Sequence, residues 1–266
     1  MRTISFISAN YVGRTLKYNG DENWGTHDQA TAKAMNPETF RMIARDIADG
    51  GFNHIDLWTA HCNWQTHGLD LLGHIKSICQ QFRLTITSYA GGLTLSSSTR
   101  QEVEKPFRFM KQLGAPIFAG GMWGADAAQM APIINDICQE LGVKYAFENH
   151  PEKTPEEILK KIGDGKYANV GVALDTGWCG TNGMDAVEAA KKLRNKLFIV
   201  HLKDVKAVGK HDTCTLGDGI VPVEKVARYL VDSDWQGTIG IEHEPYDRDP
   251  MPEVKKSLQR VREWLE

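Results

Sequence analysis

No C-x-x-C pair occurs anywhere in the 266 residues, and the five cysteines (Cys62, Cys79, Cys138, Cys179 and Cys214) are scattered and odd in number. That excludes a disulfide framework and a zinc knuckle, and reads as reduced thiols. A basic excess is lacking too. The 31 Lys and Arg stand against 34 Asp and Glu, so the composition offers nothing to neutralise a phosphate backbone. No apolar run approaches the roughly 20 residues of a membrane helix. The opening MRTISFISANYVG has one Arg, no sustained apolar segment and no small-residue cleavage site, so no signal peptide is read and the cytoplasm is the expected location. Linker-like Pro/Ser stretches and low-complexity segments are also missing. One domain over 1–266 is expected, with neither nucleic acid nor membrane as a partner; a homo-oligomer or a partner subunit stays open.

What the chain does have is alternation. At 41% hydrophobic and 24% charged residues it can fill a full core. Eight short β-branched or apolar runs (ISFISAN, HIDLW, LTITSYAG, PIFAGGM, KYAFENH, VGVALDTG, LFIVHLKD, GTIGIEHE) are separated by amphipathic stretches with apolar residues at three- and four-residue spacing. Asn36 with Pro37 marks one helix start, and Thr154 with Glu157 three residues on has the capping-box pattern. Another helix runs from Asp126 to a stop at Gly142. Eight β-then-α units in this length predict an α/β fold, a single (β/α)8 TIM barrel. An open doubly wound sheet is the alternative, weakened by the absence of a Gly-rich dinucleotide fingerprint after the first strand.

In such a barrel the C-terminal strand ends face one shared cavity and carry the chemistry. Strands five to eight end in Phe147-Glu148-Asn149-His150, Leu174-Asp175-Thr176-Gly177, Val200-His201-Leu202-Lys203 and Ile241-Glu242-His243-Glu244. Side chains alternate along a strand. Gly171, Ala173 and Asp175 therefore share one face, as do Gly240, Glu242 and Glu244, with bulky apolar residues opposite. The acids then point into the barrel. An unpaired carboxylate there is costly, and three converging with one imidazole are best relieved by a divalent cation. Glu148, Asp175, His201 and Glu242 are the expected ligands. Oxygen-rich ligation with one nitrogen favours manganese, with magnesium or cobalt next. Such a metal would polarise a carbonyl and acidify the adjacent C–H, with Glu148 and Glu242 exchanging the proton by way of an enediolate.

These strand ends, FENH, LDTG, HLKD and IEHE on an eight-unit pattern, resemble the sugar phosphate isomerase/epimerase family with its xylose isomerase-like TIM barrel. The resemblance covers essentially the whole chain and is sharpest from Tyr145 to Glu244. It implies metal ligation by Glu148, Asp175, His201 and Glu242, and, from the family's ketose 3-epimerases, Glu148 and Glu242 as the acid/base pair. Three positions depart from the family pattern. Trp178 stands where a His is common, Thr154 where the ketose 3-epimerases carry a substrate-binding Glu, and Val205-Lys206-Ala207 where they carry an Arg.

Around this core, His150 shares parity with Glu148 and is a candidate proton shuttle. Asp204, Lys203 and Glu244 could orient ligands or substrate. His211 lies in GKHDTCTLGDG, expected as a loop between strand seven and its helix. The Gly217-Asp218-Gly219 stretch reads as a turn whose amides could hold an anion. Trp24, Trp58, Trp64, Trp123 and Trp178 fall at or just after strand ends, which predicts a wide aromatic pocket for a sugar or glycoside. Trp58, His61, Trp123, Trp178 and His211 are the expected substrate contacts, with Asp56 and Asn63 as further polar groups. The leading function is a metal-dependent sugar isomerase or epimerase, and the runner-up a lyase cleaving 3-keto glycosides by elimination. An apurinic-site endonuclease would need extra histidines and a basic groove, and a non-catalytic sugar-binding barrel would leave the ligand set unexplained.

Overall fold

In the computed structural model, which describes residues 2–95, 97 and 99–266, eight parallel strands close into a barrel. They are β1 (Ile4–Ile7), β2 (His54–Trp58), β3 (Thr85–Ala90), β4 (Ile117–Gly120), β5 (Lys144–Glu148), β6 (Val170–Asp175), β7 (Leu197–Leu202) and β8 (Thr238–Ile241). Each pairs with its sequence neighbours, and β8 closes on β1 through the register Phe6↔Ile241. All eight expected strands are present. Their bulky alternate residues, such as Val172, Leu174, Ile239 and Ile241, are buried in the main apolar core; Ala119, Ala146, Ala173 and Ile199 form a separate cluster. The (β/α)8 TIM barrel is the observed fold.

Local chemistry sets the helix ends. Asn36 accepts from the amides of Glu38 and Thr39 ahead of Pro37–Asp49. The Thr154 hydroxyl accepts from Glu157 N–H, and Glu157 reaches back to accept from Lys153 N–H, so the first turn is closed at both ends. Ala127–Leu141 ends at Gly142, whose φ of 67° is left-handed backbone that glycine adopts without penalty.

Among the described residues, several elements at the mouth depart from the sequence reading, and three bear directly on the site. A helix spans Trp24–Ala34, yet only His27 and Thr31 of it are buried. A short helix, Thr176–Asn182, starts directly from Asp175. The segment expected as a loop around His211 is an antiparallel hairpin, Asp204–Ala207 with Lys210–Cys214.

Candidate metal centre and its cavity

Glu148, Asp175, His201 and Glu242 stand two positions beyond Ala146, Ala173, Ile199 and Gly240, so strand alternation turns them to the same side as those residues. Gly240 lacks a side chain for cause, since a Cβ there would lie 2.8 Å from Asp56 Oδ2. Glu148, His201 and Glu242 each offer a ligand atom, and these atoms lie within 4.8 Å of one another. His201 Nδ1 is 2.5 Å from Glu148 Oε1 and 3.4 Å from Glu242 Oε2. Its Nε2 faces Asp56 Oδ2 at 3.8 Å, beyond hydrogen-bond reach. Among the described residues, Glu242 Oε2, 3.4 Å from His201 Nδ1, is buried without a hydrogen-bond partner. Buried polar atoms are almost always satisfied, and two oxygen donors with one nitrogen suit a divalent cation. The residues present fit a metal.

Electrostatics agree with that fit. Burial opposes a charged imidazole at His201, but Glu148, Glu242 and Asp56 outweigh it and lift the group to about 10. Burial pushes Glu148 up, while His201 and His150 more than compensate and hold it below the ordinary carboxylate range. Without metal, the imidazolium supplies the positive charge that a cation would replace, so metal binding must expel that proton.

Asp175 lies outside this three-residue group. Its Oδ1 accepts from Gly177 N–H at 2.6 Å and Trp178 N–H at 3.0 Å, capping the short helix, while Oδ2 faces Lys203 Nζ at 3.3 Å. The same ammonium lies 3.0 Å from Glu242 Oε1 and 2.7 Å from Glu244 Oε2. Burial works against a charged lysine, yet the three carboxylates together hold Lys203 well above its ordinary value. For Glu244 burial dominates, and with Glu242 alongside it pushes the carboxyl well above its ordinary range although Lys203 pulls the other way. Lys203 is thus a central charge of the site, and sequence reasoning gave it only a supporting place. Its parity with His201, two residues before it, was the available signal.

The cavity over this centre has a volume of about 1180 Å³, and Trp24, Trp58, Trp64, Trp123 and Trp178 all line it. One wall is a ladder of rings. His150 packs edge-on to Trp123 at 5.4 Å and tilted to Trp178 at 5.4 Å, and Trp178 stacks on His211 at 3.9 Å. His150 Nε2 is 3.6 Å from Glu148 Oε2. Burial pushes His211 down to about 3, and its Nδ1 lies 2.8 Å from Thr181 Oγ1.

One expectation needs correction. His61 does not line the cavity. It is buried behind Trp58, with ring centroids 5.3 Å apart, and its Nδ1 bonds to Ser8 Oγ at 2.9 Å. The strand gives way to a 3-10 turn at Thr59–His61, so the alternation that would aim this ring into the mouth is lost. In the stretch read as a turn, the amides of Gly217 and Gly219 donate to Asp204 Oδ2 at 2.9 Å, with Val221 N–H on Oδ1. The anion they hold is the chain's own carboxylate.

A barrel closed by eight parallel strands, with acids and a histidine gathered at its C-terminal end, defines the class of fold. The chain belongs to the xylose isomerase-like TIM barrel family, whose model matches residues 44–265. Inosose dehydratase of Clostridium perfringens is 26% identical over 148 residues, 48% of this chain and 50% of that protein. Inosose dehydratase of Geobacillus kaustophilus is 30% identical over 133 residues, 41% of each. The chain spans about half the length of the curated relatives it matches. Among solved structures, the probable 3-DHS dehydratase AsbF from Bacillus anthracis superposes with a TM-score of 0.72 at 15% identity, covering 98% of this chain and 99% of that one. An L-ribulose 3-epimerase gives 0.72 at 14% identity, covering 100% and 95%. A Mycobacterium smegmatis barrel in complex with magnesium gives 0.69 at 16%, covering 88% and 90%. At these identities the likeness is one of fold.

Proposed function

We propose that the chain is a divalent-metal-dependent lyase that removes a proton beside a carbonyl of a polyhydroxylated ring and expels the substituent one carbon further on. The observation that carries this reading is the Lys203 ammonium, set between Glu242, Glu244 and Asp175 on one side of the site, with Glu148 beside His150 on the other. A cation held by Glu148, His201 and Glu242, manganese first with magnesium or cobalt next, would polarise the carbonyl and acidify the C–H next to it. Glu148 takes the proton from that carbon, and His150 relays it onward. The electron pair left behind forms a carbon–carbon double bond as the leaving oxygen departs with its bonding pair. Glu244, whose carboxyl is held well above its ordinary range, hands that oxygen a proton, and the Lys203 ammonium 2.7 Å away steadies the carboxylate left behind. The cavity exceeds the roughly 300–1,000 Å³ usual for small-molecule sites, and its tryptophans suit a sugar ring carrying a further ring or apolar substituent. The relatives named as dehydratases support elimination.

A second reading, sugar isomerisation or epimerisation, is favoured by Glu148 and Glu242 entering the same three-residue group, as two-carboxylate proton exchange requires. The test is a screen of manganese-loaded protein against keto-polyols, 3-keto glycosides and free ketoses, read by mass spectrometry. Loss of water or release of the substituent supports the lyase. Products of unchanged mass from free ketoses alone would move the assignment to the epimerase, and turnover undiminished by chelator would remove the metal from both.

A further inference from the structure

Two buried asparagines do the work of missing strands at the carboxylate-bearing chain segments. Backbone pairing between β1 and β8 ends at Phe6↔Ile241, one residue short of Glu242. Beyond that point the Asn10 side chain takes over. Its Nδ2 donates to Ile241 C=O at 3.1 Å, and its Oδ1 accepts from His243 N–H at 2.8 Å. These are the two groups flanking Glu242 that a neighbouring strand would have used. On the other edge Glu242 N–H donates to Leu202 C=O of β7 at 3.0 Å, so the residue is held from both sides. The same device recurs after β5. Asn149 Nδ2 donates to Asp175 C=O at 3.0 Å, and Asn149 Oδ1 accepts from Asp175 N–H at 2.9 Å. Both asparagines are fully buried. An amide side chain is the shortest neutral group that offers a donor and an acceptor side by side, and so can stand in for one peptide unit of a strand.

We infer that Asn10 and Asn149 are positioning residues that fix the backbone of Glu242 and Asp175, and through Glu242 set the geometry of the metal group. This rests on the metal reading above. Glu242 is the candidate ligand that lies past the end of its strand, so its carboxylate position depends on what replaces the ladder. A carboxylate free to swing must be ordered when the ion binds, which weakens binding even where the fold is intact.

Titration of chelator-treated protein with Mn2+ alone tests this, with thermal unfolding measured alongside. Asn10→Ala should weaken Mn2+ binding at least tenfold, and Asn10→Ser, which keeps one hydrogen-bonding oxygen at shorter reach, should fall between it and wild type. In cobalt-substituted protein the visible spectrum should shift in Asn10→Ala, a change that a stability defect alone does not produce. Mn2+ binding and a cobalt spectrum equal to wild type in both variants would overturn the inference. If the wild type itself binds no Mn2+, the metal reading fails separately, and the metal-free protein decides the positioning role. The Lys203 ammonium, 3.0 Å from Glu242 Oε1, reports the carboxylate through its 15N resonance. A shifted resonance in Asn10→Ser supports the role of Asn10, and an unmoved one refutes it.

Discussion

On the β5–β8 side of the mouth the strand ends carry Glu148, Asp175, His201, Lys203 and Glu242, whereas β1 to β4 finish in Ile7, Trp58, Ala90 and Gly120. The first half brings charge together and neutralises it internally. The second half brings backbone and rings together. A Cβ on Gly120 would lie 1.7 Å from Gly91 C=O, so the chain there packs without room for any side chain. Burying several acids is tolerable only where each has a partner, and most of them are paired within the β5–β8 half. The buried acid of the other half, Asp56 of β2, is held by Ser5 and Thr87 and faces His201 across the barrel. The β1–β4 half is left to shape the space with Trp24 against Trp58 and with Trp64 and Trp123. Chemistry on one side and shape on the other is the division the variants below are meant to break or sharpen.

The largest effect is expected on the charged side. Glu148→Gln should cost turnover about 10²–10⁴-fold, the usual contribution of a positioned acid or base, with the fold retained by circular dichroism. Retained turnover would take the proton transfer away from Glu148. Next in size is Lys203→Met, which strips three buried carboxylates of their shared cation. Removing one partner of a buried ion pair costs about 3–5 kcal/mol, to be read from denaturant unfolding of the metal-free protein. Loss under about 1 kcal/mol, the range of an exposed pair, would mean that the acids there do not depend on Lys203.

A pH series sharpens the same point. Because the folded value of His201 is raised from 6.5 to about 10, its contribution to metal-free stability is fully present below pH 6.5 and is lost as pH rises through 10. Metal must displace that proton, so Mn2+ affinity should climb close to tenfold per pH unit between these limits. A flat affinity profile over that window would show that His201 is not among the ligands. The smallest effect is expected at Trp178, the lining tryptophan that stands on the charged side and so tests how far shape extends across it. Trp178→Ala should raise KM by roughly five- to tenfold, about 1 kcal/mol of lost ring contact, with kcat little changed. A fall in kcat equal to the rise in KM would place Trp178 in the chemistry instead.

The barrel and its charged end were legible because they follow from periodicity. Alternation along β6 and β8 gives the inward acids directly, and Thr154, Asp126 and Asn36 announce helix starts through a single side chain each. What was not legible is whatever depends on a second function of one residue. Asp175 is both a site carboxylate and the cap of Thr176–Asn182, and no apolar stripe advertises that helix. Trp24–Ala34 lacks one too, being held by the mouth rather than by the core. Lys203 reads as a supporting polar residue until three acids from two other strands are folded around it, and His61 reads as a mouth residue until a 3-10 turn rotates it inward.

Isothermal titration of chelator-treated protein with Mn2+ at neutral pH tests the central claim most directly, with Glu148→Gln, His201→Gln and Glu242→Gln measured beside wild type. The account predicts one ion per wild-type chain, proton release on binding revealed by buffers of different ionisation enthalpy, and an affinity at least tenfold weaker in each variant. A wild type that takes up no ion, or three variants that bind it as tightly as wild type does, would contradict the assignment of Glu148, His201 and Glu242 as the metal-holding group.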